Sequence, residues 1–241
     1  MNPIRALLSR LQRRHLELDD QQRQRLRALP PPPPPALATP LHRQRFVVLD
    51  LETTGLNLSR DIVISIGAVA IDGGAIDMAQ QFECTLRRQV KVNEAVLIHG
   101  IAPSELAAGQ PPAEALLSFM EFAADSVMLA FHAPFDQRML TRALKHELGY
   151  SLENPFLDVA DLAPMLFPEV LTRRGSLDFW MDYFGLDIAQ RHHASADALA
   201  TAEIALILFN RARRMGIERV DELAERVRYW QRAREAAQRS I

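Results

Sequence analysis

Four acids in this sequence, Asp50, Glu52, Asp136 and Asp197, with a histidine of the pair His192-His193, have types that could gather at a metal. Asp50 and Glu52 stand two apart in an apolar run, residues 46–56, that breaks at Gly55. In a strand, successive side chains alternate faces, so the two carboxylates project from the same side. Acids held so close repel each other and lose hydration, and a hard divalent cation such as Mg²⁺ or Mn²⁺ compensates them. Taken alone, Asp-x-Glu before Thr-Thr-Gly also fits a strand running into a turn, so the further acids decide. Asp136 falls at a predicted helix start, where the helix dipole also favours an ordinary acid. Asp197 shares a helix face with Thr201 and can point toward a strand-borne site while Ala198 and Leu199 pack elsewhere. A histidine just before it, in Arg191-His192-His193, would stand over the same pocket and suits proton abstraction near neutral pH.

The elements that must position these groups are legible as runs. Val47, Val48, Leu49 and Leu51 leave the first strand no polar face, which predicts a central strand covered on both sides. Residues 62–71 form a second apolar run, Asp72-Gly73-Gly74 supplies a turn, and residues 76–86 return as a strand nearer the edge. Three adjacent strands result. Residues 93–98 and 112–124 carry helical patterns, the latter with Leu116, Phe119, Met120 and Ala123 on one face. Residues 127–131 and 156–158 read as short buried strands, with Asp158 capping the segment after it, and 177–184 and 198–209 as helices. Cys84, the single cysteine, excludes an internal disulfide and falls on an apolar strand face as a buried thiol.

A chain of 241 residues that is 48% hydrophobic supports one substantial domain with extensions. The formal charge of -2 does not advertise nucleic-acid binding, but an acidic metal centre offsets basic residues elsewhere, so local clusters matter more. The sequence contains no bilayer-length apolar run and no signal-peptide core, which predicts a cytoplasmic protein without a membrane partner. Residues 1–42 read as an appendage. Ile4, Leu7, Leu8 and Leu11 alternate with arginines in a basic amphipathic helix, and Pro30 to Pro35 form a polyproline spacer. That arm is either a docking segment for a protein or nucleic-acid partner or an extension with a solvated charged face. Residues 43–212 form the main domain. Residues 213–241 form a helical tail whose stripe Val220, Leu223, Val227 and Trp230 packs on it.

The order of these parts resembles the DEDDh group of 3′ to 5′ exonucleases, the DnaQ-like family that includes the epsilon proofreading subunit of bacterial DNA polymerase III. The first motif corresponds to Asp50-x-Glu52-Thr53-Thr54-Gly55-Leu56, the second to Ala133-Pro134-Phe135-Asp136, and the third to His192-x-Ala194-x-x-Asp197-Ala198. His99-Gly100-Ile101 resembles an intermediate segment of the family. Histidine five residues before the last Asp indicates the histidine subclass and selects His192 over His193. The second motif departs from the family pattern, because Phe131 and His132 stand where His and Asn are usual. The metal acid survives, and the phosphate contact at that place changes.

The resemblance implies an α/β fold of the ribonuclease H-like type, a mixed five-stranded sheet flanked by helices with the first strand central. It implies two Mg²⁺ or Mn²⁺ ions held by Asp50, Glu52, Asp136 and Asp197, about 3.5 to 4 Å apart, with His192 accepting the proton of the attacking water. The product is then a nucleoside 5′-monophosphate. Thr53, Thr54, Gly55, Leu56, His99, His132 and Phe135 become the substrate-binding residues, with Leu56 wedged against a base and His99 stacked. Single-stranded DNA 3′ ends are the expected substrate. An RNA-trimming exoribonuclease is the alternative within the enzyme class, and a non-catalytic adaptor working through the arm is the alternative outside it. Arg138 and Arg142, on the helix of Asp136, are the favoured phosphate contacts.

Overall fold

The computed structural model describes residues 18–34, 38–89, 100–170, 175–187 and 191–239. The helices expected near residues 4–11 and 93–98, and His99 itself, lie outside the described residues. The sheet has five strands, β1 (Phe46–Thr53), β2 (Val63–Asp72), β3 (Ala75–Thr85), β4 (Val127–Ala130) and β5 (Phe156–Asp158), in the order β3-β2-β1-β4-β5. The first strand is central, as its unbroken apolar run requires. It pairs antiparallel with β2 and parallel with β4. Gly73 and Gly74, both at positive φ, close the β2–β3 hairpin, and β3 is an edge strand.

Alternation along β1 divides the molecule. Phe46 and Val48 face one core, covered by α5 (Val159–Leu166), α6 (Leu177–Phe184), α7 (Ala194–Arg214) and α8 (Val220–Arg239). Val47, Leu49 and Leu51 face the other, covered by α3 (Pro112–Ala123) and α4 (Ala133–Leu148). Asp50 and Glu52 share the parity of Phe46 and Val48, so they turn toward α7. The pairing of β1 with β4 reaches only Val48, and the end of β1 therefore runs beyond its parallel neighbour into a crevice at the carboxyl ends of the two strands. Ligands gather at such an edge in open α/β sheets.

The helices match the sequence reading with four differences. The last core helix begins at Ala194 instead of 198 and runs to Arg214, so Asp197 lies within its first turn. α5 was not foreseen, because Pro164 stands inside it; lacking an N–H, a proline beyond the first turn forfeits a helical hydrogen bond and argues against a helix there. The arm contributes α1 (Asp20–Ala28), closed by a reciprocal cap between Asp19 and Gln22. Arg25 of α1 pairs with Glu114 and, at 2.7 Å, Glu121 of α3. The fourth difference is α2 (Pro103–Ala108), which lies between β3 and α3 along the chain and buries Leu106. Cys84 is buried, as are Val220, Leu223 and Val227 of the tail helix. Among the described residues no helix is long and apolar enough to cross a membrane.

Candidate active site

One cavity of about 660 Å³ gathers Asp50, Glu52, Asp136, His192 and Asp197 from β1, α4 and the start of α7. One carboxylate oxygen each of Asp50, Glu52 and Asp197 lie within 4.8 Å of one another, the only such group of possible ligands among the described residues. Asp136 lines the same cavity without joining that trio. It reaches there because α4 starts immediately beyond β4, so its first turn caps the crevice left by the shorter strand.

The electrostatics follow from the crowding. Burial, then Asp136, Glu52 and Asp197, push the Asp50 carboxyl well above the usual carboxylate range. Burial and Asp197 raise Glu52 to about 7, against the opposing effect of Arg191. Asp136 is pushed up mainly by burial. Three oxygen donors whose mutual repulsion Arg191 only partly offsets suit a hard divalent cation, and the site fits one on that ground.

Arg191, which no motif spacing marks, lines this cavity and links Asp178 at the start of α6 to Asp197. The second Asp197 oxygen accepts the backbone N–H of His192 at 3.1 Å. The imidazole of His192 is exposed at the cavity edge, on a residue with φ of 60°. His193 turns elsewhere, to Ser195 at 3.0 Å and to Glu83 of β3 at 3.3 Å. Of the two histidines, His192 is the one beside the acids.

The expected substrate contacts divide. Thr53, Gly55, Leu56, His132 and Phe135 line the cavity, and Leu56 is 83% exposed at its mouth. Thr54 does not line it. Its hydroxyl donates to Asp61 at 3.1 Å and accepts from the Ile62 N–H, bracing the loop that presents Leu56. The other Asp61 oxygen accepts the Asn57 N–H at 2.7 Å. Nothing in the motif spacing marks Asp61, although Asp is among the residues that favour turns by bonding nearby backbone.

His132 is the N-cap of α4 but sits in the left-handed region and makes no side-chain cap. The cap comes from Asp158 at the end of β5, whose Oδ1 accepts the N–H groups of both His132 and Ala160 at 3.0 Å. The sequence assigns Asp158 to the segment after it, and the structure shows it serving both. Asp158→Ala should lower the unfolding free energy by about 2 kcal/mol and slow turnover about tenfold by loosening the turn that carries Asp136. Asp158→Asn, which keeps an acceptor oxygen, should recover most of both, as urea unfolding and turnover assays would show.

A mixed sheet in the order β3-β2-β1-β4-β5 flanked by helices is a ribonuclease H-like fold. Within that class the chain belongs to the RNase T exonuclease family, whose sequence model, described as Exonuclease, matches residues 47–205. It is 34% identical over 179 residues to the DNA polymerase III PolC-type of Thermotoga maritima, covering 74% of this chain and 13% of that protein. Its identity to a DNA polymerase III subunit epsilon-like protein of Rhodobacter capsulatus is 33% over 183 residues, 74% of this chain and 26% of that one. The chain thus spans about a quarter or less of these relatives. The structure of E. coli exonuclease I in complex with a dT13 oligonucleotide superposes with a TM-score of 0.62 at 21% identity, over 72% of this chain and 42% of that one.

Proposed function

We propose that the domain of residues 43–212 removes nucleotides from the 3′ ends of single-stranded DNA, releasing nucleoside 5′-monophosphates, with residues 1–42 and 213–241 as accessory segments. The observation that carries this is the meeting of Asp50, Glu52 and Asp197 within 4.8 Å in a cavity that also holds Asp136 and His192. Asp50, Glu52, Asp197 and Asp136 would hold a pair of Mg²⁺ or Mn²⁺ ions, whose chemistry when bound would be to activate a water and to offset charge on the leaving 3′ oxygen. His192, beside Asp197 on an exposed turn, takes the water's proton. Leu56 and Phe135 offer apolar surface to the terminal base, and the braced loop from Thr53 to Asp61 holds that surface rigid. The DNA polymerase relatives and the oligonucleotide complex of exonuclease I support DNA over RNA.

A time course with 5′-labelled single-stranded DNA and RNA of matched sequence tests the reading. The expected result is a ladder shortening from the 3′ end, faster on DNA, abolished by chelator and restored by Mg²⁺ or Mn²⁺. Cleavage within the strand, preference for RNA, or turnover indifferent to chelation would each overturn the corresponding part.

A further inference from the structure

A second concavity, of about 370 Å³, lies behind the loop after β1, between Ser59–Val63 and the flank of α4. Its floor is apolar, with Ile62 and Met139, and three arginines line it, Arg60, Arg88 and Arg142. The acid in its lining, Glu147, is engaged by Arg88 at 2.8 Å. Arg142 donates to the Leu58 carbonyl and keeps further N–H groups for another acceptor. Arg60 is exposed and pairs with no acid among the described residues.

This cleft shares both its walls with the acidic cavity. The loop places Gly55 and Leu56 in one and Ser59 and Arg60 in the other, while α4 places Phe135 and Asp136 in one and Met139 and Arg142 in the other. Six residues of helix from Asp136 to Arg142 span about 9 Å, so a strand leaving the acids needs only a few nucleotides to arrive. Those acids repel a polyanion, and cations next to them are where a strand gains its affinity. Guanidinium groups match the paired oxygens of a phosphodiester, and an apolar floor under arginines accepts an unpaired base.

We infer that this cleft is the track of the substrate strand upstream of its 3′ end: Arg60 and Arg142 hold internucleotide phosphates while a base rests between Ile62 and Met139. The inference builds on the exonuclease reading of the neighbouring cavity, and it is tested separately from it. Affinity for a fluorescent ten-residue single-stranded DNA is measured by anisotropy in chelator, without turnover, for the parent, Arg60→Glu and Arg60→Lys. KM and kcat are then measured with Mn²⁺ on that oligonucleotide and on the p-nitrophenyl ester of thymidine 5′-monophosphate, which has no upstream strand.

Arg60→Glu should weaken oligonucleotide binding about tenfold and reduce its salt dependence by about one phosphate contact. It should raise KM for the oligonucleotide alone, with kcat kept, and Arg60→Lys should restore most of the affinity. Parent-like binding by Arg60→Glu, an equal rise in KM for the ester, or lost affinity only for a labelled acidic peptide would overturn the track. A parent that cleaves neither substrate while Arg60→Glu still weakens binding would leave the track standing and remove the exonuclease reading.

Discussion

An Asp50→Asn protein should be inert and yet, with divalent ions chelated, melt at a higher temperature than its parent. Both effects have one cause. Asp50 faces Asp136, Glu52 and Asp197 in a site where burial already disfavours its charge. Removing a metal ligand costs several kcal/mol of transition-state stabilisation; about 4 kcal/mol is about a thousand-fold in rate. The amide also removes a charge that the fold must otherwise hold against its neighbours, and each kcal/mol relieved raises the melting temperature by about 2–4 °C in a domain of this size.

The pH dependence carries the same sign. Glu52 titrates near 7 in the folded chain and from 4.5 in the ordinary state, so between those values the folded form binds more protons than the unfolded one. That contribution is fully present below about 4.5 and is lost as pH rises through 7, and Asp50 and Asp136 act in the same direction. In chelator, the parent's melting temperature should therefore fall from pH 5.5 to 8. Mn²⁺ should raise it more at pH 8, where the ligands bind it deprotonated. Scanning calorimetry across that range measures both; a chelated parent that gains stability toward pH 8, or an Asp50→Asn variant that melts below the parent, would refute the repulsion argument.

Much of this site is readable from sequence because its parts are written in periods. Alternation places Asp50 and Glu52 on one face, and the apolar run around them makes β1 central. The turn at Gly73–Gly74 and the stripe through Leu116 and Phe119 are similarly local. What escapes is the set of contacts that join elements distant in sequence. Asp158 caps α4 across 26 residues, and Arg88 reaches Glu147 across 59. Arg191 escapes for a different reason: it precedes the motif's histidine and has no role in the spacing, yet it joins Asp178 to Asp197. Thr54 reads from sequence as a ligand contact because its hydroxyl follows the metal strand, and its bond to Asp61 shows a bracing role that spacing does not reveal.

The glycine inside β2 carries the sharpest of these long-range demands. Gly67 pairs directly with Asp50, and a Cβ built on it would stand 2.1 Å from the Ala194 carbonyl carbon and from the Ser195 amide nitrogen. Both are backbone atoms of the first turn of α7, so no side-chain rotation relieves the contact. A glycine in the middle of a β-branched run is the sequence mark of such a backbone approach. It lets α7 lie against β1 and β2 closely enough for Asp197, three residues beyond Ala194, to meet Asp50 and Glu52. Gly67→Ala must therefore push α7 outward, at a cost of about 3 kcal/mol, the upper end for overpacking. A displacement of about 1 Å at a catalytic group is enough for about a hundred-fold loss of rate. The expected protein is folded at low temperature, binds Mn²⁺ more weakly than the parent, and turns over about a hundred times more slowly. Calorimetric titration with Mn²⁺ separates this from simple unfolding, because a variant that loses stability but keeps the parent's metal affinity would show that α7 does not depend on Gly67 to place Asp197.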